Sequence, residues 1–219
     1  MSAPVLPILG YRDIRGLGQP IRYLLTYAGV EFVDRRYGST EDWLLDKHAL
    51  GLQFPNLPYY IDSDKKLTQS TAIMRYLGRK YGLYAVDGDE PAHRRQDMAE
   101  QHIYDMKSHF HYEILMREDW ERRRDAYCTG ILDNQLNLLA EFLGDNEWLI
   151  GDQLSYIDFT AYEVLDWFRV FAPISVDKHP IIGRYLCRFE NLGPIAAYRK
   201  SSKYKSWPMT GPRAKWGSK

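Results

Sequence analysis

QFPNLPYYIDSDKKLTQSTAIMRYLGRKYG, residues 53–82, is the stretch that decides the fold of the first part of the chain. It predicts a loop that ends in Asn-Leu-Pro, strands at 59–62 and 66–68 joined by a tight turn, and then a helix. The helix begins near residue 69, carries apolar side chains at four-residue spacing, and ends at Gly82. A strand pair followed at once by a helix predicts one half of a small α/β domain.

Two positions in this stretch suggest a binding site. Pro58 lies where the loop meets the strand, and it is a candidate for a cis peptide bond that turns the backbone of the preceding residue outward. Ser70 lies at the helix start, where unpaired N–H groups and the positive end of the helix dipole favour a carboxylate or a phosphate. The alternatives are an ordinary turn proline and an ordinary capping serine, and these two residues alone do not decide between them.

The residues before this stretch complete the domain. A short apolar strand is predicted at 5–11, and a helix opens near Pro20, because proline is tolerated in the first turn. A half-buried strand at 31–37 and a short helix at 41–50 follow. The order strand, helix, strand, helix, strand, strand, helix predicts an α/β domain with a four-stranded mixed sheet over residues 1–84.

The second part of the chain has a different pattern. A polar linker at 85–91 precedes residues 92–219, where helical periodicity indicates an all-helical domain with a basic C-terminal tail. Asp105 lies off the apolar stripe of its helix. Ser155 and Asp158 fit a capping box, which indicates a structural role. The main helices are predicted at 91–117, 122–143, 155–172 and 180–192.

The composition argues against several classes of function. The 219 residues are 45% hydrophobic and carry 29 basic and 29 acidic side chains, a balance that does not favour nucleic acid as a partner. No apolar run is long enough to span a membrane and no signal peptide is visible, so we expect a soluble, cytoplasmic protein. Cys128 and Cys187 stand alone, and His102, His109 and His111 lie on one helix without a ligand face that includes a carboxylate partner, so no metal site is predicted.

Four motifs carry a resemblance that covers nearly the whole chain. They are LGYRDIRGLGQPIR at 9–22, GLQFPNLPYYID at 51–62, LTQSTAIMRYLGRKYG at 67–82 and SYIDFTAYEVLD at 155–166. In this order they resemble glutathione S-transferases, most closely those of the mu class. The resemblance implies a thioredoxin-like N-terminal domain, an all-helical C-terminal domain, a homodimer, and a detoxifying enzyme that conjugates glutathione to small hydrophobic electrophiles. Glutathione is then a co-substrate, and no cofactor is expected.

This chemistry requires a thiolate, because the thiol form of glutathione is a poor nucleophile. A free thiol has a pKa of about 8.5, so only a few per cent is ionised at pH 7. A hydrogen bond to a charged group contributes roughly 1.5–3 kcal/mol, so one well-placed hydroxyl donor lowers the thiol pKa by about one to two units. The resemblance assigns this role to Tyr11, which ends the first predicted strand in the L-G-Y pattern of the family.

The resemblance also implies which residues bind glutathione. Leu57, ahead of Pro58, is expected to pair through its backbone with the cysteinyl part of the tripeptide, as an added strand does. Gln69 and Ser70 are expected to hold the γ-glutamyl carboxylate, in agreement with the argument from the helix start. The residues assigned to the glycyl carboxylate are Trp43, Lys47 and the neighbouring Asn56.

Two further assignments concern a partner subunit. Asp105 is expected to reach across the dimer to the amine of a glutathione bound by the partner, and the alternative is an exposed helix acid. Phe54 is expected to insert into the helical domain of the partner, and the alternative is a core phenylalanine.

Departures from the mu pattern affect the acceptor site. Arg12 stands where mu enzymes usually have tryptophan, and it either binds glutathione through a charge-assisted contact or reshapes the pocket. The loop before Trp43 is short, which predicts a more open site, and a second tyrosine expected near Leu115 is not in register. These departures leave a second function open, a carrier of glutathione or lipophilic ligands without turnover. The acceptor wall is predicted to contain Leu17, Tyr112, Leu115, Met116 and Met209.

Overall fold

The computed structural model describes residues 5–218, and its N-terminal part is built on a mixed sheet. The elements are β1 (Ile8–Arg12), α1 (Gln19–Tyr27), β2 (Val33–Tyr37), α2 (Thr40–Lys47), β3 (Tyr59–Asp62), β4 (Lys65–Thr68) and α3 (Ser70–Lys80). The strand order is β2-β1-β3-β4; β1 and β2 are parallel, and β3 is antiparallel to both of its neighbours. The predicted four-stranded mixed sheet is confirmed. The first strand begins three residues later than predicted, since Pro7 has no N–H to donate to a ladder.

Apolar side chains cover both faces of this sheet. Leu9 of β1 lies opposite Tyr60 of β3, and both are fully buried in the main core with side chains of α1 and α3. A smaller cluster covers the other face and includes Tyr37, Leu52 and Tyr59. Because both faces are covered, the strand ends and the loops that leave them are the parts of the sheet available for a site.

The second part of the described chain is helical. α7 is buried along nearly its whole length, which confirms the prediction of a central helix, and Ser155 and Asp158 form the predicted capping box. α4 starts at Glu90, one residue before the predicted helix start and inside the predicted linker. Within residues 5–218 no helix is both long enough and apolar enough to cross a membrane. The helices are α4 (Glu90–Phe110), α5 (Trp120–Tyr127), α6 (Asp133–Leu143), α7 (Tyr156–Phe171), α8 (Pro173–Asp177), α9 (Pro180–Glu190) and α10 (Gly193–Lys200).

Two of the predicted helices contain π-helical turns. α4 passes directly into the first π turn, His111–Leu115, where the N–H of Met116 donates to the C=O of His111 at 3.1 Å. A second π turn, Cys128–Leu132, joins α5 to α6. The prediction of one uninterrupted helix at 91–117 is therefore wrong. A π turn inserts one extra residue into a helix, and a single inserted residue leaves the apolar stripe on either side recognisable.

A buried ion network joins the loop after β1 to α7. The guanidinium of Arg15 donates to both carboxylate oxygens of Glu163, at 3.0 and 2.8 Å, and to Asp166 at 2.6 Å. Arg15 is 1% exposed, and Glu163 also accepts a hydrogen bond from the indole of Trp167 at 2.7 Å. Burying these charges is tolerated because each has a partner, and the network fixes the loop against the helical part.

The C-terminal segment, residues 207–218, returns to bridge the two parts of the molecule. The backbone N–H of Gly16 donates to the C=O of Met209 at 3.0 Å, which attaches the segment to the loop after β1. The N–H of Lys215 donates to the C=O of Leu115 at 2.7 Å, which attaches it to the first π turn. The basic tail is therefore a structured connection between the two parts.

Candidate active site

A cleft of about 990 Å³ lies between the sheet part and the helical part. The sheet part contributes the end of β1, the loop after it and the start of α3; the helical part contributes α4, the first π turn, α7 and the C-terminal segment. Many of the residues predicted from the sequence meet here although they lie far apart in the chain. Those that line the cleft are Tyr11, Arg12, Leu17, Gln69, Ser70, Tyr112, Leu115 and Met116.

Tyr11 lies near the end of β1, 7% exposed, with its hydroxyl held by the following loop. The backbone N–H of Leu17 donates to the Tyr11 Oη at 3.0 Å. Burial raises the pKa of Tyr11, although the Leu17 hydrogen bond opposes the shift, so the phenol keeps its proton at neutral pH. Since Oη already accepts a hydrogen bond, its own proton is available for an acceptor in the cleft.

Glycine lets the loop wrap closely around this tyrosine. A Cβ added at Gly16 would lie 2.6 Å from the Tyr11 hydroxyl oxygen, and one added at Gly18 would lie 2.6 Å from a ring carbon. Gly16 also has a φ of +44°, in the left-handed region that glycine adopts without a steric penalty. The two glycines therefore serve the close approach of the loop to the tyrosine.

In the loop before β3, the peptide bond to Pro58 has the predicted geometry, but the backbone N–H of Leu57 is already hydrogen-bonded. The Leu57–Pro58 peptide bond is cis, as the sequence suggested. The N–H of Leu57, which was expected to pair with the tripeptide, donates to the side-chain oxygen of Asn56 at 2.9 Å. A peptide that binds along this edge must take over that hydrogen bond, and Asn56 is then released to contact it.

The start of α3 presents backbone and side-chain donors to the cleft. Gln69 immediately precedes the helix with a φ of +70°, and Ser70 is its first residue. The first turn carries no acidic side chain, and Gln69 makes no side-chain capping bond. The N–H groups of this turn are thus open to an anionic group in the cleft, where the helix dipole also favours negative charge.

The residues assigned to the glycyl carboxylate do not line the cleft. Trp43 is 6% exposed and packs in the smaller core cluster, with its ring 5.4 Å from Tyr37 and 6.0 Å from Tyr59. Lys47 lies at the end of the same helix and is half-buried. Neither residue, nor Asn56, is among the described residues that line the cleft. Their binding role stays a prediction, and packing accounts for the tryptophan by itself.

The two residues assigned to a partner subunit are both accessible in the single chain. Asp105 is half-buried on α4 and accepts a hydrogen bond from the side-chain amide of Gln101 at 2.8 Å. Phe54 is 79% exposed and has a φ of +48°, so the core alternative for this side chain is wrong. A phenylalanine on a protruding loop leaves a large apolar surface in water within the isolated chain.

Four of the five residues predicted for the acceptor wall line the cleft, and their binding role stays a prediction. Leu17, Leu115 and Met116 line the cleft, and Tyr112 does so with 66% of its surface exposed. Met209 is wrong: it is 3% exposed and packs in the main core. Residues 210–214, which follow it, line the cleft instead.

Comparison with known proteins agrees with this geometry. Residues 8–79 match the family model of the glutathione S-transferase N-terminal domain, and residues 104–202 match that of its C-terminal domain. Glutathione S-transferase Mu 1 of Rattus norvegicus is 40% identical over 97% of this chain and 99% of the relative, and Mu 6 of Mus musculus is 41% identical over 96% and 98%. The chain belongs to the glutathione S-transferase family.

Solved structures of other glutathione S-transferases have the same fold as this chain. The crystal structure of the glutathione S-transferase Blo t 8 superimposes with a TM-score of 0.89 at 36% identity, covering 96% of this chain and 99% of that one. The pi-class glutathione S-transferase of Onchocerca volvulus gives 0.83 at 28% identity, covering 96% and 100%. The similar sequences of the mu class and the thioredoxin-like sheet domain confirm the resemblance noted from the motifs.

Several cleft residues of the transferase were not found from the sequence. Tyr104, Lys107, Ser108 and His111 all line the cleft, and Leu115 continues the same row. Their spacing places them on one side of a helix, so a polar stripe beside the apolar stripe was a visible signal. Other cleft residues come from distant elements and had no local signal, among them Thr40, Trp167 and Arg213.

The helical side of the cleft, which we call the acceptor half, has positively charged side chains, Lys107 and Arg213, and no acidic ones among the described residues. Burial lowers the pKa of Lys107, and it also lowers that of His111, where the positive charges of Lys107 and Arg213 act in the same direction. Arg12 lies at the other side of the cleft, where its guanidinium donates to Thr40 Oγ1 at 3.4 Å. Among residues 5–218, no group of three or more His, Cys, Asp or Glu side chains is arranged to hold a metal ion.

Proposed function

We propose that this transferase binds reduced glutathione on the sheet side of the cleft and joins its thiolate to small hydrophobic electrophiles on the helical side. The position of the Tyr11 hydroxyl carries the proposal. Its oxygen accepts the N–H of Leu17 at 3.0 Å, and burial keeps the phenol protonated, so its proton is available to the sulfur. A donor of this kind stabilises the thiolate by roughly 1.5–3 kcal/mol, which lowers the thiol pKa by about one to two units.

The tripeptide is held mainly by groups of the sheet part. The start of α3, with Gln69 and Ser70, binds the γ-glutamyl carboxylate by donating hydrogen bonds to it. The backbone of Leu57 pairs with the cysteinyl part once the N–H of Leu57 is released from the side chain of Asn56. Arg12 lies close enough to the cleft to add a charge-assisted contact. The glycyl carboxylate remains assigned to Lys47 with Trp43 and Asn56.

The reaction with a halonitrobenzene illustrates the chemistry. The sulfur–carbon bond forms, the carbon–halogen bond breaks, and the halide leaves with the bonding electron pair. The thiol proton has already passed to solvent when glutathione binds as thiolate, and the Tyr11 proton stays on its oxygen. Holding the two reactants in contact within the cleft supplies much of the remaining acceleration.

We also propose that the transferase is a cytoplasmic homodimer. Phe54, 79% exposed on its loop, supports a contact with a second copy, and Asp105 of the partner subunit would then contribute to the site across the interface. Neither nucleic acid nor a membrane is expected as a partner, and glutathione acts as co-substrate without a further cofactor.

A conjugation assay tests the proposal against the carrier alternative. The purified chain is incubated with glutathione and 1-chloro-2,4-dinitrobenzene, and product absorbance is followed against a buffer control. We expect saturation with both substrates and a rate well above buffer. A carrier would be retained on glutathione resin and still show the buffer rate, which would refute transferase activity.

A further inference from the structure

We infer that the acceptor half of the cleft selects electrophiles that carry an anionic group beside an apolar reactive part, and that Lys107, His111 and Arg213 hold the anion. This inference deepens the proposed function and rests on it. It names the class of electrophile that the site takes: an aromatic or aliphatic electrophile bearing a carboxylate or a similar anion.

The three side chains come from two elements that the fold brings face to face. Lys107 and His111 are four residues apart, at the junction of α4 and the first π turn, so they project on the same side. Arg213 comes from the C-terminal segment, which is attached to that turn by the hydrogen bond from the N–H of Lys215 to the C=O of Leu115 at 2.7 Å. This short connection holds the arginine on the cleft wall.

Lys107, His111 and Arg213 line the same cleft, and the lowered pKa of His111 agrees with their proximity. Burial is the largest cause, and the charges of Lys107 and Arg213 follow, both acting to keep the imidazole neutral. Lys107 itself is held in a partly desolvated position, and burial lowers the pKa of its ammonium. An anion placed here would be attracted by the charges of Lys107 and Arg213, and it could accept a hydrogen bond from the neutral imidazole of His111.

No carboxylate of residues 5–218 lines the cleft, so no acidic side chain there neutralises Lys107 and Arg213. Lys107 also borders a smaller cavity behind the cleft, where Glu100 and Glu163 lie. Glu163 is already paired with Arg15, and Glu100 is paired with an arginine of α3 and accepts the hydroxyl of Tyr156 at 2.8 Å. Both carboxylates are therefore engaged, and the positive charge faces the cleft.

An apolar surface lies directly beside the cations. Leu17, Leu115 and Met116 line the same cleft, and Leu115 follows His111 on the first π turn. An electrophile with an apolar ring and one anionic substituent satisfies both features, with the ring on the apolar wall and the anion toward the cations. A wholly apolar electrophile leaves the partly desolvated ammonium of Lys107 without an anionic partner.

A pair of matched electrophiles tests the inference. The substrates are 4-chloro-3,5-dinitrobenzoate and the neutral 4-chloro-3,5-dinitrobenzamide, each at saturating glutathione, with kcat/KM divided by the uncatalysed rate of the same compound. We expect the corrected benzoate-to-benzamide ratio to exceed one in the unmodified transferase and to decrease with added salt. In Lys107→Met and in Arg213→Gln it should fall about tenfold, the effect of losing one charge-assisted contact.

Matched variants show whether the substrate preference depends on the charges that line the cleft or on the overall charge of the protein. Lys203→Gln removes one exposed positive charge outside the cleft and should leave the ratio unchanged. Arg213→Lys and Lys107→Arg keep the charge and should restore most of the preference. A ratio near one in the unmodified transferase, or a ratio that Lys107→Met and Arg213→Gln do not lower, would overturn the inference.

A binding measurement keeps the inference separate from the proposed function. Quenching of tryptophan fluorescence, to which Trp167 on the cleft wall contributes, is titrated with unreactive 3,5-dinitrobenzoate and with 3,5-dinitrobenzamide. Tighter binding of the benzoate that Arg213→Gln abolishes supports the anion site even if conjugation fails. Equal binding of the two compounds, with conjugation of the benzamide intact, refutes the anion site alone.

Discussion

Replacing Tyr11 by phenylalanine removes the hydroxyl group on which the proposed mechanism depends. The ring keeps its place between Gly16 and Gly18, so the fold should be preserved, and only the hydroxyl is lost. The N–H of Leu17 loses its acceptor, but water can reach it from the cleft. The expected loss is that of one hydrogen bond to a charged group, roughly 1.5–3 kcal/mol, which raises the pKa of bound glutathione by about one to two units.

The assay is a titration of the thiolate absorbance of enzyme-bound glutathione, read beside the pH dependence of kcat/KM. In Tyr11→Phe the midpoint should move toward the value of the free thiol, about 8.5. The rate at pH 6.5 should fall about 10–100-fold, and the deficit should shrink above pH 8.5, where the thiol ionises without help. Tyr60→Phe, in the buried part of the same sheet, is the control. Coincident titration curves for the unmodified protein and Tyr11→Phe would refute the role of the hydroxyl.

The other predictions concern binding, stability and assembly. Ser70→Ala should raise the KM for glutathione about tenfold with little change in kcat, because it removes a contact of about 1–1.5 kcal/mol that is equally strong in the ground state and the transition state. An unchanged KM would contradict the carboxylate site at the start of α3. Arg15→Met leaves Glu163 buried without a cation and Asp166 with Arg169 alone, and it should lower the free energy of unfolding in urea by about 3–5 kcal/mol. A loss below about 1 kcal/mol would contradict the network. Phe54→Ser should weaken the dimer by at least about 30-fold in analytical ultracentrifugation, as for an interface hot spot. A dimer of unaltered affinity would exclude that contact.

Features that a few neighbouring residues determine were predictable from the sequence. The cis bond at Pro58, the helix that starts at Ser70 and the capping box of Ser155 and Asp158 all follow from residue types at short spacing. Hydrogen bonds inside one turn or one loop fix these conformations, and tertiary contacts only preserve them. The four-stranded mixed sheet followed from the same local signals, because alternation of strands and helices leaves few topologies to consider.

Features that depend on tertiary contact were not predictable. Met209 was expected on the acceptor wall, yet its side chain is 3% exposed and packs in the main core, while its backbone C=O accepts the N–H of Gly16. Arg213 lies only four residues further on and reaches the cleft because Lys215 is attached to the first π turn. The π turn itself has no distinct composition, and its extra residue becomes visible only through the bond from Met116 to His111.

The C-terminal segment connects the two chemical halves of the cleft. Its C=O groups at Pro208 and Met209 accept the N–H groups of Arg15 and Gly16, and so hold the loop whose next residue donates to the Tyr11 hydroxyl. A few residues later the same segment carries a cation of the acceptor half. A displacement of this segment would therefore disturb the partner of the phenol and the anion site together. Thiolate formation and electrophile selection should for this reason respond jointly to a change there, although no side chain of the segment contacts the sulfur in the proposed mechanism.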